Sequence, residues 1–131
     1  APVVPWDGVL PADRAGAFCP RPVKLGVGFY ITERSNQSED CLTPNVWTHA
    51  DDTTERRPVM VWVHGGGLVG GAGFEQTGQL LSRKGAVLVT FNYRLGRLGF
   101  LAHPGLTQEN PCGVSGNQGF RDQIAALEWV R

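Results

Sequence analysis

The chain has 131 residues, and its 12 Lys and Arg are balanced by 12 Asp and Glu for a formal net charge of zero. With no basic block, it lacks the electrostatic footprint of a protein that binds nucleic acid or an anionic membrane. The longest uncharged run, Pro58 to Phe74, carries too many glycines to read as a membrane span.

Residues 1–38 are rich in Pro, Gly and polar side chains and show little periodicity, so they read as a long surface excursion with at most short strands. Neither a start methionine nor a signal peptide precedes Gly8, and both ends of the chain read as cut. Cys19, Cys41 and Cys112 permit one disulfide and one thiol, or three thiols, and spacing alone does not choose. Asn36-Gln37-Ser38 has the form of a glycosylation sequon, a triplet common by chance. There is no Cys-x-x-Cys, no His-Glu-x-x-His and no dense Asp cluster, so neither a metal nor a cofactor is expected.

Cys41 to Thr48 reads as a strand. Pro44 cannot donate to a ladder, so this strand belongs at an edge or a bulge. A charged turn follows at Asp51 to Arg57. Val59 to Val63 is a continuous apolar run that predicts a strand buried on both faces. It runs straight into His64-Gly65-Gly66-Gly67. Glycines at the end of a strand leave backbone N–H groups uncovered by side chains, and an oxyanion hole is built from such groups.

Thr77 to Lys84 predicts a short helix with Thr77 as N-cap and Gly85 at its C-terminal end. Ala86 to Phe91 predicts a second buried strand. Strand, helix, strand implies a right-handed crossover and a parallel pair, hence an α/β fold. Asn92 to Thr107, with glycines at 96, 99 and 105, reads as a loop. Phe120, Ile124 and Leu127 form an apolar stripe on a final helix, which shows no Gly or Pro stop before Arg131.

Other readings of these residues are weaker. Gly65 to Gly70 also satisfies Gly-x-Gly-x-x-Gly, but a dinucleotide fold wants an acid about 20 residues on, at the end of the next strand. That strand ends in Asn92, and no acid lies between Glu75 and Glu109. Ser115 is no nucleophile, because no strand precedes it and the glycine after it comes one residue early. His49 and His103 read as surface histidines, and Asp122 as a helix-start acid.

Four segments in order resemble one family. They are Ser38-Glu39-Asp40-Cys41-Leu42-Thr43, Val61 to Gly67, Thr90-Phe91-Asn92-Tyr93-Arg94-Leu95-Gly96, and Gly116 to Asp122 continuing to Val130. Pro5-Trp6-Asp7-Gly8-Val9 adds a fifth. Together they resemble type-B carboxylesterases, the cholinesterase-like branch of the α/β-hydrolases.

The resemblance implies that residues 1–131 are an incomplete N-terminal portion of a carboxylesterase domain, a partial α/β-hydrolase fold that requires the remainder of its own domain. It implies a serine esterase acting on small-molecule carboxylic esters. The backbone N–H groups of Gly66 and Gly67 would form the oxyanion hole, while nucleophile, acid and base lie outside this chain. His64 matches a loop-supporting position, not the general base. Cys19 and Cys41 match a pair that closes a loop by a disulfide. Glu39 and Arg94 match positions of ion pairs whose partners would lie outside the chain. Pro44 and Leu68 depart from the family pattern. The rival reading is a non-catalytic, cholinesterase-like adhesion or binding domain, which would have no need of bare amides.

Overall fold

A computed structural model describes residues 7–8, 11–21 and 36–131. Much of the N-terminal reading, including most of Pro5 to Val9, lies outside the described residues. Three strands form one sheet: β1 (Pro44–Trp47), β2 (Val59–Val63) and β3 (Val87–Phe91), in the order β1-β3-β2. β3 pairs antiparallel with β1, Pro44 opposite Phe91, and parallel with β2, Val63 opposite Phe91. The parallel pair is the one the sequence predicts, and Pro44 opens an edge strand, where its missing N–H does no harm.

β3 is the buried centre, with Leu88, Val89, Thr90 and Phe91 all inaccessible. β2 differs from expectation: Val59, Met60, Trp62 and Val63 are all 43–49% exposed. Among the described residues it is the other edge strand, paired on one side only. Its apolar run calls for a burial that the described residues do not supply.

Between β2 and β3 lie a 3-10 turn (Gly73–Glu75) and helix α1 (Gln79–Arg83). α1 is shorter than predicted, and Gly78 holds the cap position, with the Thr77 hydroxyl accepting from Gln79 N at 3.3 Å. The stretch after β3 is not a loop: it holds α2 (Gly96–Phe100) and α3 (Pro104–Glu109). Glycine suggested a loop there, yet Gly99 serves close packing. A Cβ at Gly99 would strike the Arg94 carbonyl, and one at Gly119 would strike that carbonyl and the Phe100 ring. α3 starts with Pro104, and the His103 ring accepts from Gly105 N at 3.1 Å.

Helix α4 (Gln118–Val130) is present as expected, but it does not turn its apolar stripe inward. Phe120, Ile124 and Leu127 are 45%, 55% and 50% exposed. The inward face is Gly119, Asp122, Gln123 and Ala126. The core gathers Cys19, Cys41, Phe91, Tyr93 and Leu95, with Val61, Phe100 and Ala126 packed against it. Cys19 and Cys41 are bonded and buried, so Cys112 is the free thiol. Closing that loop stabilises by about 3 kcal/mol on the chain-entropy account.

Arg94 corrects a second expectation, because its partner lies within the chain. Nε donates to Asp122 Oδ2 at 2.8 Å and Nη2 to Oδ1 at 2.6 Å, while the Arg94 backbone N–H also donates to Oδ2 at 3.0 Å. The Asp122 side chain is only 6% exposed. Glu39 is exposed. Asp122→Ala removes all three bonds and is expected to cost about 2 kcal/mol, the scale of charge-assisted hydrogen bonds at a half-buried site. The urea midpoint of the variant checks this, and an unchanged midpoint would show that α4 is held by other contacts.

Candidate active site

β2 delivers the chain into a tight turn at residues 64–71. The Gly66 carbonyl accepts from Val69 N and Gly70 N, each at 3.1 Å. Gly66 has φ 126°, and a Cβ there would collide with the Gly70 carbonyl oxygen, so no other residue fits. Gly67 (φ 60°) and Leu68 (φ 64°) follow in the left-handed region. For Leu68 that conformation costs roughly 1–2 kcal/mol. One bond holding it there runs from Gly96 N to the Leu68 carbonyl, 2.7 Å.

His64 is buried at 5% exposure, with its ring stacked on Tyr93 (centroids 4.3 Å apart, planes 18° apart). Its Nδ1 lies 2.9 Å from the Gly65 carbonyl oxygen. That oxygen can only accept, so Nδ1 carries the proton. Tyr93 donates its phenolic O–H to the His64 carbonyl at 2.9 Å.

A trans amide holds its C=O and N–H on opposite sides of one plane. The Gly65 carbonyl is held by the His64 ring, which turns the Gly66 N–H away from that ring. The Gly66 carbonyl is held inside the turn, which directs the Gly67 N–H outward. Among the described residues neither N–H finds an acceptor.

Burial lowers the His64 pKa, against a raising effect of the Gly65 carbonyl bond and the Glu75 charge. The ring is therefore neutral, and its buried Nε2 has no partner among the described residues. His64 supports the turn, as its position implied. Burial likewise raises the pKa of Tyr93.

The remaining candidates fall elsewhere. Ser115 Oγ meets His103 N at 3.2 Å and Thr107 Oγ1 at 2.7 Å, pinning the start of α3. His49 Nδ1 contacts Ser82 Oγ at 2.9 Å, but Ser82 is buried and also bonds the Gln79 carbonyl, so the pair ties α1 to the chain after β1. Asp122 is spent on Arg94. Sequence reasoning missed Tyr93 as part of the site. The available signal was a phenol two residues beyond a buried strand, where a polar tip needs a partner. No helix among the described residues is long and apolar enough to cross a membrane.

The sequence profile of the carboxylesterase family matches residues 1–131. The chain is 44% identical to the fumonisin B1 esterase of Sphingopyxis macrogoltabida, over 100% of this chain and 24% of that protein. It is 46% identical to the para-nitrobenzyl esterase of Bacillus subtilis (strain 168), over 96% of this chain and 25% of that protein. A solved PNB esterase structure superposes with a TM-score of 0.75 at 41% identity, covering 95% of this chain and 24% of that one. The chain belongs to the carboxylesterase family, and its fold is part of an α/β-hydrolase. It spans about a quarter of the length of the relatives it matches.

The neutral His64 ring makes the turn pH-sensitive. Its folded pKa lies below the ordinary 6.5, so the unfolded chain binds the proton more readily. Its contribution to stability is full above that value and is lost as pH falls through the folded pKa. Urea midpoints at about pH 7.5 and about pH 5 are expected to differ more for the native protein than for His64→Asn, which keeps an N–H donor but cannot titrate. Equal pH dependence in both proteins would contradict the assignment.

Proposed function

We propose that the protein to which this chain belongs hydrolyses small carboxylic esters by a serine-esterase mechanism, and that the N–H groups of Gly66 and Gly67 form its oxyanion hole. The observation that carries this reading is the pair of adjacent amides left without acceptors while the carbonyls in their own peptide planes are held. When a serine oxygen attacks the ester carbonyl, negative charge gathers on the carbonyl oxygen. Two donors held in place beforehand would need no reorganisation as the charge develops. A histidine base and its acidic partner, like the serine, belong to the rest of the domain. The esterases matched above favour this over an adhesion or binding domain.

On the same reading, residues 1–131 are the N-terminal portion of the carboxylesterase domain. The unpaired edge of β2 and the exposed stripe of α4 support this, since both are apolar surfaces that a completed domain would cover. The full protein is expected to turn over p-nitrophenyl acetate, and Gly66→Ala, which keeps the N–H but drives a Cβ into the Gly70 carbonyl and so displaces that N–H, to lower kcat by about 10²–10³-fold. The 131-residue chain by itself is expected to show no serine-directed turnover. Full activity in the Gly66→Ala protein, or labelling of the isolated chain by a fluorophosphonate with turnover, would overturn the reading.

A further inference from the structure

Tyr93 is a buried phenol that the proposed chemistry does not use, at 2% exposure. We infer that it is a positioning residue for the oxyanion hole, acting on the Gly66 N–H through His64. The inference rests on the ester-hydrolase reading above.

Two features of Tyr93 converge on one peptide. Its O–H donates to the His64 carbonyl, which sets the plane of the 64–65 amide. Its ring lies flat against the His64 imidazole, which keeps Nδ1 on the Gly65 carbonyl and so sets the plane of the 65–66 amide. The nitrogen of that second plane is Gly66 N. The direction of one donor is therefore set from Tyr93 by an O–H bond on the 64–65 peptide and by a stacked ring that keeps the His64–Gly65 bond on the next.

The exit of the turn is held from the same place. Gly96, three residues past Tyr93, donates its N–H to the Leu68 carbonyl at 2.7 Å. Both ends of the glycine turn thus hang from the segment that follows β3. The turn's own bonds from Val69 N and Gly70 N to the Gly66 carbonyl fix the Gly67 N–H without help from Tyr93. The two donors consequently have separate supports, and loss of the phenolic O–H disturbs Gly66 more than Gly67.

Tyr93→Phe keeps the ring, the stacking and the volume and deletes only the O–H. In the full-length protein it is expected to lower kcat about tenfold with KM changed by less than about twofold, because the misaligned donor matters most when charge develops. The Ki of a trifluoromethyl ketone, whose serine adduct carries an oxyanion, is expected to rise in step with the fall in kcat. Replacement of Tyr93 by p-aminophenylalanine restores a donor at the same place and is expected to keep kcat within about threefold of the native value.

Native kcat in Tyr93→Phe, beside an inactive Gly66→Ala protein, would overturn the inference and leave the oxyanion reading standing. Native kcat in Gly66→Ala would remove the reading itself. A fall in kcat and melting temperature with Ki unmoved would show a role in stability alone and would also overturn it. Should Tyr93→Phe not fold, the p-aminophenylalanine protein decides the matter: it must fold and keep its kcat and Ki, and failure in either sinks the proposal.

Discussion

Three consecutive side chains leaving β3, Asn92, Tyr93 and Arg94, tie the described segments together. Asn92 is 4% exposed and uses its amide fully. Oδ1 accepts from Gly73 N at 2.8 Å, while Nδ2 donates to the Ala17 carbonyl at 2.9 Å and the Cys41 carbonyl at 3.0 Å. Its backbone N–H reaches the Thr43 carbonyl. One residue thus binds the 3-10 turn, the disulfide-linked segments and β1. Tyr93 holds the glycine turn and Arg94 holds α4. A buried amide with an unmet donor or acceptor costs about 1–3 kcal/mol, so these bonds act less by adding stability than by penalising every arrangement in which they are unmade.

The glycine turn is costly by the same logic, and the cost is placed where chemistry would use it. Two amides go without acceptors, and Leu68 sits in a conformation that disfavours side chains. Such strain persists only when the surroundings overdetermine it. Here the surroundings are the His64–Tyr93 stack beneath the turn and the Gly96–Leu68 bond at its exit. Arg21 and Glu75 add a polar floor nearby: Arg21 lies over the Phe18 ring at 3.8 Å, and Glu75 Oε2 accepts from Ala72 N at 2.9 Å. A rigid frame around a few exposed donors is the arrangement expected of a preorganised site.

What the sequence made legible was local. The apolar run of β3, the proline that sends β1 to an edge, and the helical period of α4 each follow from a few neighbouring residues. The parallel pairing followed from a general rule of chain handedness. What stayed hidden depends on distant partners. Arg94 and Asp122 are 28 residues apart, and no pattern in either segment names the other. Gly99 read as part of a loop, and no local pattern explained Gly119 inside a helix, yet each is small because another element presses on it. The glycine run was readable as a place for bare amides, but the residue that aims one of them, Tyr93, came from another strand's end.

The mismatch at β2 and at α4 is of one kind. A run such as Val-Met-Val-Trp-Val suits burial on both faces of a sheet, and the Phe120, Ile124, Leu127 stripe suits burial of one helix face, yet both are largely exposed here. On the proposed domain reading, a further strand would lie against the edge of β2 that is free among the described residues. A helical crossover through α4 would make that strand parallel to its neighbours. Parallel neighbours end on the same side of the sheet, so its C-terminal end comes beside residues 64–67. In open α/β sheets the reactive groups gather at those carboxyl ends. A serine carried on the turn after such a strand would lie on the same side of the sheet as the Gly66 and Gly67 amides. On that reading, one further strand would both cover the exposed edge of β2 and bring a reacting group to the amides proposed as the oxyanion hole.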